Sequence, residues 1–442
     1  MTADAELMRC AALDRRLLAA VRGIHILGTV AWPASLENHL IADYAAGRFA
    51  LPQVDYRRPD LAEARAELAA IAGEAGTLDD APLRDYLVRT ADSWRMAAQM
   101  LDAVGTAGVS APSIALYGKP TDSIPGSTRS NLDAARYFVE LADELGADLL
   151  ADEAPATIAA DTLRDELAAT LDGFFGAGVV RVEVDPELTA KAAAGATRIR
   201  LRGGAQFTAY DRHQLLAHEA LVHTLTALNG KRQPLLASLA RTSPRVTATQ
   251  EGLAVFAELM SGAIDIARLK RIGLRILAID MALSGADFVE VYRFFHARGQ
   301  GAADSFHSAQ RVFRGVPTTG GAAFAKDNVY LSGLLTVHTF FRWAFRARRM
   351  DHLRHLFAGK LALADVESLA PHFASGAIAP PHWLPPWMRE VHGLAGKLAF
   401  SVFINGIHMD AVAAADVALG RTAAGSREGP VIRCRQPPDG TP

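Results

Sequence analysis

Apolar residues recur at helical spacing along most of this chain, and in one short stretch the period drops to two. Leu13, Leu17, Leu18 and Val21 open a helical period that runs to residue 48 and is broken at Trp32-Pro33, which predicts two helices. Leu51 to Pro59, with prolines at 52 and 59, reads as an extended linker. Asp60 to Ala75 and Ala81 to Thr106 read as two more helices, the second opened by Asp79-Asp80-Ala81-Pro82. The Gly-, Pro- and Ser-rich run from Leu116 to Asn131 predicts a loop, and helices follow at Asn131–Gly146 and Asp161–Gly173. Then Val179 to Val184 and Thr197 to Arg202 alternate apolar and polar positions, so each predicts a half-buried strand. Helical spacing returns afterwards, with a break near Ser284-Gly285 inside 263–295. The fold class that follows is α+β and predominantly helical, with a small sheet beside the helix that comes next.

That helix starts at Thr208-Ala209-Tyr210-Asp211, a threonine with an acid three residues on. It carries His218-Glu219-Ala220-Leu221-Val222-His223, two imidazoles around one carboxylate in an otherwise apolar run. Neutral imidazole is the commonest protein ligand for zinc, and a glutamate beside it can accept a proton from water without occupying the metal. The spacing is unusual. On a regular α-helix an i,i+5 pair lies about 140° apart and cannot share one ion. The two histidines act together only if the helix departs from α geometry between Ala217 and Thr224, and a π turn, with i→i+5 bonding, restores a common face.

A third donor is offered by Gln250-Glu251-Gly252-Leu253-Ala254, which opens another helical pattern. Glu258 lies seven residues on, nearly on the same face, and is the rival. Glu251 is preferred because Gly252 beside it permits close approach of another backbone, while Glu258 suits a partner to a ligating histidine. Arg311 to Tyr330 is a second loaded stretch: Arg311 and Arg314 frame a turn, and a glycine-rich loop leads back into a helix at Lys326-Asp327-Asn328-Val329-Tyr330. A second histidine pair, His352 and His355, sits among Arg346, Arg348, Arg349 and Arg354 and reads as a basic, solvated helix.

Composition narrows the field without naming a chemistry. With 442 residues, 50% of them hydrophobic, and a formal charge of -2, the chain is an ordinary globular protein with nothing that marks a nucleic-acid binder. Cys10 and Cys434, near opposite ends, do not make a disulfide framework, so a reducing cytoplasm is expected. The apolar runs at 272–283 and 331–345 are interrupted by charge and predict buried helices, not membrane spans.

Taken together, several of these segments resemble the QEGLA-motif proteins, described in bacteria as flavohaemoglobin expression-modulating (DUF1704). More distantly they resemble the microtubule-associated tyrosine carboxypeptidases. The resemblance runs through Ile114 to Pro120, the HEALVH segment with Asn229-Gly230 and Gln233-Pro234 behind it, Thr249 to Ala254, Arg311 to Gly315 and Phe324 to Leu331, within residues 10–410. It implies a zincin-like metallopeptidase core in which His218, His223 and Glu251 hold Zn2+ and Glu219 acts as the base. It also implies a peptide or protein C-terminus as substrate. A peptidase acting at a chain end needs a cation for the terminal carboxylate, for which Arg311, Arg314 and Lys326 are candidates, and an oxyanion donor, for which Tyr330 is one. An Arg-Asp bridge holding the 311–330 loop in place is the competing role for these cations.

The expectation is therefore a zinc-dependent metallopeptidase, carboxypeptidase-like, with no nucleic-acid or membrane partner. Residues 1–110 would form an N-terminal helical layer, 111–415 the catalytic domain and 420–442 a disordered tail. The alternative is a non-catalytic, metal-stabilised regulator; Glu219 discriminates against it, since a structural zinc site has four protein ligands and needs no free glutamate. No strongly basic extension marks a tubulin-binding surface, so specificity for a C-terminal tyrosine does not transfer.

Overall fold

The computed structural model describes residues 3–149, 157–188 and 191–404. It divides into two compact units, 1–389 and 390–442. Helices dominate the first unit, beginning with α1 (Ala3–Ala20), α2 (Ile26–Thr29), α3 (Ala34–Ala45), α4 (Ala62–Ala75), α5 (Ala81–Asp102) and α6 (Ser110–Tyr117). The break expected at Trp32-Pro33 is present, preceded by the short extra helix α2. Helix α5 starts where the sequence marks it: the Asp80 carboxylate accepts a hydrogen bond from the Leu83 N–H at 3.0 Å, and Pro82 occupies the first turn, where no amide is needed. Its inward stripe of Leu83, Leu87, Trp94, Ala98 and Leu101 is buried, and the helix packs on α4, α6 and the turn at Pro244–Val246 that leads into the next part of the chain.

The loop expected from Leu116 begins two residues later, at Gly118, whose positive φ of 76° ends α6. Asn131 at its far end donates to the Asn328 side chain at 2.6 Å, and Asn328 donates to the Tyr117 carbonyl at 3.1 Å. The loop thereby clamps the segment that precedes Tyr330. Helices α7 (Asn131–Leu149) and α8 (Ala160–Phe175) lead to the sheet.

Both expected strands form. β2 (Arg181–Asp185) pairs in parallel with β4 (Arg198–Arg202), from Arg181 opposite Arg198 to Asp185 opposite Arg202. The sequence reading missed β3 (Ala192–Ala194), antiparallel to β4 on its other side, because three alanines have weak strand propensity and gain their geometry from the neighbour. It also missed the small ribbon of β1 (Ile158–Ala159) with β5 (Gln206–Phe207). In β4 the alternation is plain: Ile199 and Leu201 are buried between arginines.

After the sheet come α9 (Ala209–Leu215), a π-helical segment at Leu216–Thr224, and α10 (Leu225–Lys231), continuous with one another. Then α11 (Thr247–Ser261), α12 (Ile266–Leu283), α13 (Phe288–His296), α14 (Ala302–Phe313) and α15 (Val329–Arg346) complete the body around the site. The break between α12 and α13 falls where Ser284-Gly285 predicts it. Helix α11 lies directly on α15. A Cβ on Gly252 would come within 2.2 Å of the Gly333 backbone, so the two helices touch through paired glycines.

Helices α16 (Met350–His355), α17 (Leu363–Ser368), α18 (Ala370–Ser375) and α19 (Pro386–Arg389) close this unit. Here one expectation is corrected: α16 is not a solvated basic helix. His352 is buried, and His355 stacks on Phe373 with ring centroids 3.9 Å apart, so the imidazoles serve as aromatic packing surfaces while the arginines face solvent. In the second unit, α20 (Val391–Ile404) is an apolar helix. The expected disordered tail, 420–442, lies outside the described residues. Among the described residues no helix is long and apolar enough to cross a membrane.

Candidate metal centre

The helix carrying the two histidines is built as its sequence demands. Thr208 and Asp211 form a reciprocal capping box, with Thr208 Oγ1 accepting from the Asp211 amide at 3.0 Å and Asp211 Oδ2 accepting from the Thr208 amide at 2.8 Å. From Leu216 to Thr224 the bonding widens to π, and the Leu225 N–H reaches the Ala220 carbonyl five residues back. The expected departure from α geometry is therefore present. It brings the two imidazoles onto one face, edge to face with centroids 4.9 Å apart.

Glu251, in the first half of α11, meets them there. Its Oε2 lies 3.6 Å from His218 Nε2 and 3.6 Å from His223 Nε2, and one ligand atom from each of the three residues falls within 4.8 Å of the others. A tetrahedral ion with ligand distances near 2.1 Å holds its donors about 3.4 Å apart. The spacing, and the mix of two imidazoles and one carboxylate, fits a divalent ion of the zinc type. Glu258 plays the other part: it accepts from His218 Nδ1 at 2.6 Å, leaving Nε2 to face the centre, and is itself held by Arg268 at 3.2 Å. Burial disfavours charge on His218, but Glu251 and Glu258 outweigh it and hold its pKa well above the ordinary value. Burial likewise opposes ionisation of Glu251, yet Lys326 and the two histidines keep it well below the usual carboxylate range. The field at this point favours a cation.

The cations of the 311–330 stretch are not equivalent. Arg311 grips Asp327 through two bonds of 2.6 and 2.7 Å, and Arg275 lies 3.7 Å from the same carboxylate. Lys326 donates to Glu251 Oε1 at 3.0 Å, which leaves Oε2 facing the histidines. Arg314 differs: its buried Nε has no hydrogen-bond partner among the described residues, and burial together with neighbouring Arg311 lowers its pKa. Tyr330 stands between these groups, with Lys326 Nζ 5.4 Å and Arg275 6.0 Å from its ring centre.

All of these side chains except Glu258, Arg268 and Arg275 line one cavity of about 490 Å³. Glu219 lines it too, half-buried and outside the donor trio. Its walls carry Arg241, Arg311, Arg314, Lys326 and Lys360 against Glu219, Glu251 and Asp327, a balance that suits an anionic guest. Ala194, Gly195 and Ala196, at the end of β3, form one rim. Tyr117 is buried against Phe324 behind the cavity and does not line it.

Sequence reasoning missed Lys360, whose Nζ reaches the His223 carbonyl at 3.0 Å. Burial pushes its pKa down to about 8, with Glu251 and Glu219 opposing through space. The available signal was a single lysine inside the apolar run Leu356 to Leu363.

A family model described as microtubule-associated tyrosine carboxypeptidase matches residues 44–406, which include every residue of the centre and the cavity except Leu27. No match was found among curated proteins.

Proposed function

Because the chain belongs to the microtubule-associated tyrosine carboxypeptidase family, we propose that it is a zinc-dependent carboxypeptidase acting on a peptide or protein C-terminus. One observation carries the reading: three donors spaced for a single ion share a cavity with a glutamate outside the trio and with Arg314, whose buried Nε has no hydrogen-bond partner among the described residues.

In this reading His218, His223 and Glu251 would hold the zinc ion, which supplies Lewis acidity toward water and the scissile carbonyl when bound. Glu219 takes a proton from water on its carboxylate as the water oxygen adds to the carbonyl carbon. It then delivers that proton to the leaving amine as the C–N bond breaks. The Tyr330 phenol donates to the oxygen of the tetrahedral intermediate. Arg314 binds the terminal carboxylate, because Arg311 and Lys326 already have carboxylate partners and act chiefly to hold Asp327 and Glu251 in place. The backbone of Ala194 to Ala196 offers an edge along which an extended peptide lies.

The same reading takes the sheet and the π-bearing helix as a zincin-like core, residues 1–110 as a helical layer and 111–415 as the catalytic part. It also takes the protein to be cytoplasmic, a reading supported by the use of only two cysteines, near opposite ends. The test is metal analysis of protein purified without added metal. About one zinc per chain is expected in the wild type and none in the His218→Ala, His223→Ala double variant, with single-residue C-terminal trimming of a peptide library seen by mass spectrometry only in the former. Equal metal content in the two proteins would remove the assignment.

A further inference from the structure

Lys360 lies 137 residues beyond His223 in the chain and is 7% exposed, yet it ends on the metal centre. Its ammonium has three N–H donors, and three oxygens stand around it: the His223 carbonyl at 3.0 Å, Gln250 Oε1 at 3.1 Å and Thr226 Oγ1 at 3.4 Å. None of the three is a carboxylate. The oxygens belong to both ligand-bearing helices. His223 is itself a donor of the trio, Thr226 follows it by three residues, and Gln250 immediately precedes Glu251. The lysine backbone is fixed independently, since its N–H donates to the Leu239 carbonyl at 2.7 Å and Gly359 is wedged against Leu239.

A buried ammonium whose hydrogen-bond acceptors are all neutral, with Glu251 and Glu219 acting on it only through space, adds little to the stability of a fold. Without it the Thr226 hydroxyl still stands within reach of the His223 carbonyl and Gln250 Oε1 as a donor. With all three donors engaged, it also has none left for a substrate. We propose that Lys360 is a positioning residue: by tying the end of the π segment to α11, it sets the spacing of His223 and Glu251 and so tunes the metal centre. This rests on the reading of the trio as a metal site. It goes beyond that reading by assigning a role to a residue that no ligand motif contains.

The experiment compares wild type, Lys360→Met and Thr226→Val. Three quantities are measured: zinc affinity by chelator competition, the visible spectrum of the cobalt(II)-loaded protein, and Tm of the metal-stripped protein. For Lys360→Met the expected result is zinc affinity weaker by about tenfold or more and an altered cobalt spectrum, with the metal-free Tm unchanged or raised. Thr226→Val, which removes one of the three oxygens, should move affinity and spectrum the same way by less. A lowered metal-free Tm with wild-type zinc affinity and cobalt spectrum in the folded protein would overturn the proposal and leave Lys360 a structural residue. If Lys360→Met does not fold, Thr226→Val decides, and wild-type affinity and spectrum there overturn it equally. Failure of the wild type to take up zinc or cobalt is a different result: it removes the metal reading itself, and this role with it.

Discussion

The wall formed by the π segment and α11 and the wall formed by residues 311–330 are both dense in ionisable side chains, and they use them in opposite ways. In the first, three donors converge on one point and the surrounding charges serve that convergence: Glu258 orients His218, Arg268 holds Glu258, and Lys326 takes only one oxygen of Glu251. In the second, the cations are mostly held by carboxylates: Arg311 shares Asp327 with Arg275, and Lys326 reaches across to Glu251. Arg314 keeps a buried nitrogen with no hydrogen-bond partner among the described residues. The contrast teaches that residue type does not assign a role. A paired arginine stabilises a loop, while an unpaired one beside it is available to a ligand.

The largest effect expected from breaking this contrast is at Glu219. Glu219→Gln preserves shape but cannot accept the proton, so kcat should fall by about 10²- to 10⁴-fold while zinc content stays at the wild-type level. Full hydrolysis by that variant would place the base elsewhere. Next comes Arg311→Met, which leaves Asp327 with only Arg275. Breaking a largely buried pair costs about 3 kcal/mol, and thermal or urea unfolding should register it as lost stability, with KM nearly unchanged below the transition. A large rise in KM without destabilisation would instead make Arg311 the substrate cation. The smallest expected effect, and the sharpest discriminator, is Arg314→Met. It removes no ion pair, so stability should hold, while KM for peptides with a free C-terminal carboxylate rises by about tenfold, the worth of one charge-assisted hydrogen bond. C-terminally amidated peptides should be bound equally by wild type and variant; a comparable loss on them would show that Arg314 does not read the terminus.

Much of the scaffold was legible because it is written in local spacing. The capping box at Thr208, the Asp80 start of α5 and the alternation in β4 each involve residues within one turn or one strand of each other. So does the π turn, since two histidines five positions apart either share an ion through a widened helix or do not share one at all. The misreadings share a cause of another kind. The arginines beside His352 and His355 in the sequence predict a solvated helix, whereas Phe373 and Trp343, which the fold brings against the two rings, decide their surroundings. β3 was invisible because alanines become a strand only when β4 offers them a ladder.

What the sequence determined by itself, then, was the types of the candidate donors, the condition that the two histidines act together only on a helix that is not α, and the two elements that carry the candidate trio. It narrowed the third donor to Glu251 or Glu258 and leaned on Gly252 to prefer the first. Tertiary structure decided between them. Seven residues put the two backbones on one face of α11, about 10 Å apart along its axis. Both carboxylates reach His218, Glu251 at Nε2 and Glu258 at Nδ1, so the position of α11 against the π segment selects which one meets the two Nε2 atoms. That position is set by contacts far apart in the chain: Gly252 against Gly333, Lys326 on Glu251, Lys360 across to His223. Pairings of this kind depend on where whole helices come to rest, a property of the packed core that no local spacing encodes.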